Sequence, residues 1–135
     1  MNILIFLTPK QDVAYVFDDF TIRQALEKME YHQYSSIPIL NRKGKYIGTL
    51  TEGDLLWTIK NLFGFDLNKA ESMKISDIKR KNDFKSVGAQ IEMDELINTA
   101  MNQNFVPVED DQGIFIGIVT RKKILQYGLK KPSTK

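Results

Sequence analysis

Ser36-Ile37-Pro38-Ile39-Leu40, followed by Gly44 and then Tyr46-Ile47-Gly48-Thr49-Leu50-Thr51, comes back later in the chain. The second copy is Phe105-Val106-Pro107-Val108-Glu109, then Gly113, then Phe115-Ile116-Gly117-Ile118-Val119-Thr120. Subtracting 38 from 107 gives 69, and the same offset separates Gly44 from Gly113, Gly48 from Gly117 and Thr51 from Thr120. Proline fixes φ and glycine opens backbone regions closed to other residues, so a shared offset means shared turns. A backbone repeated within 135 residues predicts two similar units facing each other, with clefts between them.

Working outward, Ile37 to Leu40 reads as a short, apolar, buried strand, Asn41 to Lys45 as a turn, and Tyr46 to Leu50 as the hairpin partner. Upstream, Val13 to Phe17 is rich in strand formers. Thr21 caps a helix whose apolar positions are Ile22, Ala25, Leu26 and Met29. Downstream, Thr51 opens a second helix through Leu55, Leu56, Ile59 and Leu62. Each unit therefore runs strand, helix, strand, strand, helix. The first helix of the second unit matches at a different offset: Ile22 aligns with Met93, and 93 minus 22 is 71. Residues 1–62 form the first unit, 63–74 a connection broken by Gly64, 75–130 the second unit, and 131–135 a tail. Ser76 is placed as the cap of a short helix.

A half of this length buries too little surface to be comfortable alone, so the two are expected to depend on each other. With 42% hydrophobic and 27% charged residues the chain has ordinary globular composition. A net charge of +2 points neither to nucleic acid nor to a membrane surface. Zero cysteines exclude disulfides and thiolate chemistry and fit a reducing, cytoplasmic setting. Ile3 to Leu7 is too short to span a bilayer and reads as a packed N-terminal turn.

The apolar-Pro-apolar strand, the turn glycine and Gly-x-x-Thr-x-x-Asp leading into a helix, repeated in order, resemble a tandem pair of CBS domains, or Bateman module, from about Leu7 to Leu129. The resemblance implies an α/β fold of two β-α-β-β-α units packed sheet to sheet with pseudo-twofold symmetry. It also implies association into flat homodimers. It further implies regulatory binding of an adenine nucleotide such as AMP, ADP, ATP or cyclic di-AMP, rather than catalysis. With no enzyme or transporter attached, the expected role is a stand-alone sensor that signals to a separate partner protein. The alternative is a structural dimerisation adaptor with no bound nucleotide.

By the same resemblance, Thr51 contacts phosphate and Asp54 the ribose hydroxyls, while Val13, Ala14, Tyr15 and Tyr34, Ser35, Ser36, Ile37, Pro38 line the base. The chemistry fits: a carboxylate offers acceptors to a diol, and a helix N-terminus offers N–H groups to phosphate. Thr51-x-x-Asp54 is equally a plain capping box, and Tyr34 equally a stacking platform or a half-buried core residue. In the second copy Lys123 stands at the place of Asp54, after Thr120, Arg121 and Lys122. Cations in a helix's first turn oppose its dipole at up to about 1 kcal/mol each. A docked anion would reverse that sign, so Arg121, with Lys122 or Lys123, is read as a phosphate ligand; the competing reading has these side chains reaching into water. Lys85 stands where the first half has Ala14 and suits a purine less well, so the first site is expected to fill first. His32 reads as a surface loop residue and Lys79 to Lys81 as a solvated run; no metal site and no nucleophile–base pair is expected.

Overall fold

The computed structural model describes residues 2–81 and 83–130. The tail at 131–135 lies outside the described residues. The chain divides into two compact units, Ala14–Asp83 and Met1–Val13 together with Phe84–Lys135. The N-terminal segment is thus part of the unit built from the second half of the chain. The architecture is mixed α/β, with two sheets.

In Ala14–Asp83 the order is β2 (Val16–Phe17), α1 (Ile22–His32), β3 (Ser36–Leu40), β4 (Tyr46–Thr51), α2 (Glu52–Phe63) and α3 (Leu67–Ala70). The preceding β1 (Thr8–Pro9) belongs to the other unit. β3 is central, parallel to β2 and antiparallel to β4. Thr21 starts α1 with a reciprocal capping box to Gln24, and Thr51 starts α2 with one to Asp54. Gly64, at φ 57°, ends α2 in the left-handed conformation. Ile22, Ala25, Ile37, Leu50, Ala70 and Ile75 are fully buried in its core.

Pro38 sits in a central strand without harm. The Thr49 N–H opposite it turns outward to Asp83 Oδ1 at 3.0 Å, so Pro38 and Thr49 form a non-hydrogen-bonded pair and the ladder lacks nothing. The strand expected over Val13 to Phe17 shortens to Val16–Phe17, because only those residues reach β3, opposite Ile39 and Leu40.

The stretch after Gly64 is integral to this unit. Ile22 and Arg23 N–H, among the unpaired donors of α1's first turn, bond Met73 O at 2.8 Å and Glu71 O at 3.1 Å. Ile75 and Ser76 N–H return the pairing to Phe20 O and Asp18 O. Ser76 lies inside a 3-10 turn, Ile75–Asp77, that starts from Lys74, so it caps nothing.

The other unit contains an N-terminal 3-10 turn, Ile3–Phe6, then β1, and after the crossover β5 (Val87–Gly88), α4 (Met93–Ala100), β6 (Phe105–Glu109), β7 (Phe115–Thr120) and α5 (Arg121–Lys130). Its sheet runs β1-β7-β6-β5 around a core of Ile3, Leu96, Val106, Val108 and Val119. The repeat extends to fine detail. The β3–β4 register shifts between Ile39 and Leu40, and the β6–β7 register between Val108 and Glu109. Asn41 Oδ1 accepts from the N–H groups of Lys43 and Lys45, and Asp110 Oδ1 from those of Gln112 and Ile114. Gly44 and Gly113 hold φ of 84° and 81°, where a side chain would be strained.

Candidate functional site

Asp54 occupies the third position of α2, next to the β3–β4 hairpin: Thr51 pairs with Ser36, and Glu52 N–H donates to Ser35 O at 3.0 Å. Thr51 Oγ1 accepts from Asp54 N–H, and Asp54 Oδ2 accepts from Thr51 N–H, both at 3.1 Å. The capping arrangement is therefore made. Asp54 Oδ1 also accepts from Lys81 N–H at 3.4 Å. A carboxylate oxygen has two acceptor positions, so the group keeps capacity for a further donor. Asp54 lines a depression of about 820 Å³ together with Trp57, Asn61, Lys79, Arg80 and Lys81. The cationic run read as solvated thus faces the same space as the acid.

Arg80 is more than a surface cation. Its side chain is 15% exposed and grips Asp83 with a fork, Nε to Oδ1 at 2.8 Å and Nη2 to Oδ2 at 3.0 Å. The hydrogen bond to Asp83 raises its pKa above the ordinary arginine value. Asp83 in turn takes the Thr49 N–H, so one carboxylate closes both the sheet edge and the guanidinium. The pair lies directly over Gly48, where an added Cβ would stand 2.6 Å from Asp83 and 2.7 Å from Arg80.

The residues expected around a base separate into groups. Ser36, Ile37 and Pro38 are buried within β3, so a ligand beside them meets backbone rather than side chain. Ala14 is buried, and half-buried Tyr15 packs edge-on against Phe17 with Lys28 Nζ over its ring. Half-buried Tyr34 packs on the core and against His32 at 5.5 Å. With Ser35 it lines a groove of about 740 Å³ between α1 and α2, which Asp54 does not line. His32 is the last residue of α1, and exposed. Val13 belongs to the other unit, as do Thr120 to Lys123.

In that unit the side chains of Arg121 and Lys123 have partners. Thr120 Oγ1 accepts from Lys123 N–H at 3.2 Å, which is a plain cap. Arg121 Nε donates to Ala100 O at 2.7 Å, and Ala100 is the last residue of α4. A cation at a helix C-terminus satisfies an orphan carbonyl and favours the dipole. Lys123 Nζ donates to Thr8 Oγ1 at 3.0 Å, and Lys122 is exposed. An anion is thus not required to account for Arg121. Sequence reasoning also passed over Gln103, 7% exposed, whose carboxamide bonds Lys85 N–H and Lys85 O, each at 2.9 Å, and Phe105 O at 3.0 Å. The available signal was a polar residue two places before an apolar strand. Among the described residues no group of three or more His, Cys, Asp or Glu is placed to hold a metal, and no helix is long and apolar enough to cross a membrane.

A family model described as the CBS domain matches the chain twice, over residues 5–61 and 75–130. Inosine-5'-monophosphate dehydrogenase of Methanocaldococcus jannaschii is 26% identical over 118 residues, which are 86% of this chain and 22% of that enzyme. The chain thus spans about a fifth of the length of such curated relatives. A hypothetical conserved protein of Geobacillus kaustophilus is 28% identical and superposes with a TM-score of 0.87, covering 96% of this chain and 97% of its own. CbpB of Listeria monocytogenes, solved in complex with c-di-AMP, is 24% identical with a TM-score of 0.83 and 96% of each chain covered. CBSX2, solved in complex with AMP, is 21% identical with a TM-score of 0.76 and 96% of each chain covered.

Proposed function

This chain belongs to the CBS-domain family and carries the domain twice, and from that premise we propose that it is a regulatory module for an adenine nucleotide: AMP, ADP, ATP or cyclic di-AMP. The observation that carries the reading is Asp54, a carboxylate with acceptor capacity at the start of α2, bordering a depression lined by Lys79, Arg80 and Lys81. The acid suits the ribose hydroxyls, both of them in AMP, ADP or ATP and the single 2'-hydroxyl in cyclic di-AMP; Thr51, the α2 N-terminus and the neighbouring cations suit phosphate. The adenine meets the backbone of Val13 to Tyr15 and of Ser35 to Pro38, with Tyr34 beside it. Thr120, with the cations Lys122, Lys123 and the Nη groups of Arg121, forms a second cluster for phosphate. That CbpB and CBSX2 were solved with c-di-AMP and AMP supports the ligand class.

In this reading the module works in the cytoplasm as a homodimer, and the bound and free states differ in how they engage a separate partner protein. Such coupling requires the partner to distinguish the two states. Thermal shift and calorimetry with the four nucleotides test it. A ligand at a hundred times its Kd stabilises by about 2.7 kcal/mol. Asp54→Ala removes ligand contact and cap together. Asp54→Asn retains an oxygen for Thr51 N–H and isolates the loss of charge. Both variants are expected to bind more weakly. Unchanged affinity in Asp54→Ala, or no stabilisation by any of the four nucleotides, refutes the proposal.

A further inference from the structure

Gln103 carries an amide buried where the repeat asks for something else. Subtracting 69 from 103 gives Tyr34, and subtracting 71 from 85 gives Ala14. The pair Gln103 and Lys85 therefore stands in the second half where Tyr34 and Ala14 stand in the first. The Gln103 carboxamide closes a two-point ring on the Lys85 peptide groups: Oε1 accepts from N–H, and Nε2 donates to the carbonyl, both at 2.9 Å. A third bond, Nε2 to Phe105 O at 3.0 Å, fixes its plane. The Phe84 and Phe105 rings pack 4.9 Å apart at the same place.

A donor and an acceptor side by side on a flat group is the pattern that the adenine edge presents, with its N6 amine beside a ring nitrogen. A peptide N–H and C=O offer the complement. A tyrosine has a single hydroxyl and cannot close such a ring. We infer that Gln103 is an internal stand-in for adenine: it occupies the backbone groups by which the second half would read the base, and so confines nucleotide to the first half, one per chain. The inference rests on the proposal that adenine meets the backbone around Ala14. It adds a specificity-determining residue in the half of the chain where no acid faces the sugar.

The test is the number of AMP molecules bound per chain, measured by titration calorimetry on wild type, Gln103→Ala and Gln103→Tyr, the last installing the residue of the first half. Each variant is first checked for cooperative thermal unfolding. The expected result is a second, weaker binding event in at least one variant, raising the stoichiometry by one over wild type. No gain in either folded variant overturns the inference, whatever the wild type binds. The parent reading is judged separately, on whether wild type binds nucleotide at all. If neither variant folds, the ring is moved instead. Tyr34→Gln places a carboxamide beside Ala14 and is expected to weaken AMP binding at least tenfold beyond Tyr34→Leu, which removes only the aromatic face. Equal affinities in that pair overturn the inference.

Discussion

The same substitution at two repeat-related glycines is expected to have different consequences. In Gly117→Ala the new methyl meets the Thr8 carbonyl, a backbone atom of the strand paired to it, with Leu7 at 3.0 Å behind. Gly117 also holds φ at 153°, a conformation rarely adopted by L residues, which costs about 1–3 kcal/mol. Lifting β1 away to relieve the contact forfeits ladder hydrogen bonds at about 1 kcal/mol each. The total is about 3 kcal/mol or more. In Gly48→Ala the methyl meets only the far ends of Arg80 and Asp83, which rotate away. The partly exposed ion pair is worth about 0–1 kcal/mol, and Thr49 N–H exchanges a carboxylate for water, so the total is about 1–2 kcal/mol. The gain from a stiffer unfolded chain is similar at both sites and drops out of the comparison. Urea titrations followed by circular dichroism read the difference, and Trp57 fluorescence follows the Gly48 unit alone. Asp83→Ala in the Gly48→Ala background removes the obstructing atoms, so the two losses should be less than additive. Equal losses at the two glycines, or the larger loss at Gly48, would refute the reasoning.

Two further outcomes follow from local geometry. Arg42 forks onto Asp19 at 2.8 and 2.9 Å while lying 3.9 Å over the Phe17 ring, and its hydrogen bonds hold the Asp19 carboxyl below its usual value. A depressed carboxyl contributes stability that is present above its unfolded pKa and fades as pH falls through its lowered folded pKa. The melting curves of wild type and Asp19→Asn should therefore differ slightly at neutral pH and converge in acid; a gap that persists at low pH contradicts this. Phe65, 59% exposed, follows Gly64 in the left-handed region at φ 66°, where a bulky residue is strained by about 1 kcal/mol. Phe65→Gly is expected to raise the melting temperature by a few degrees, and a lowered value would show that ring burial outweighs strain.

Those parts of the fold that depend on single-residue backbone constraints were legible in the sequence. Gly44, Gly113 and Gly64 sit at positive φ, which glycine adopts without strain, and Thr21 and Thr51 cap their helices. Features made by long-range backbone pairing were not. Thr8–Pro9 forms an edge strand because β7 offers it a free edge, and two residues without alternation carry no strand signal of their own. Likewise nothing in Lys79-Arg80-Lys81 announces that the middle cation turns inward, since its partner Asp83 is recognised only once Thr49 is seen behind it. Arg121 shows the same limit. Its position in a first turn argued for an anion, but its acceptor is a main-chain carbonyl of another helix, and carbonyl positions leave no trace in residue identity.

The two sheet edges show how a repeated backbone takes on different tasks. Thr8 pairs with Ile118 on β7, whereas the corresponding position on β4, Thr49, is closed by the Asp83 side chain. A strand is held by a ladder; a side chain is held by one carboxylate that an arginine also claims. The β4 edge therefore rests on a side chain that is also the partner of Arg80, and Arg80 borders the depression shared with Asp54. In the other unit Arg121 Nε donates to Ala100 O, Lys123 Nζ to Thr8 Oγ1, and Gln103 holds the Lys85 peptide groups. The repeated backbone is thus closed by main chain at one edge and by an ion-paired side chain at the other.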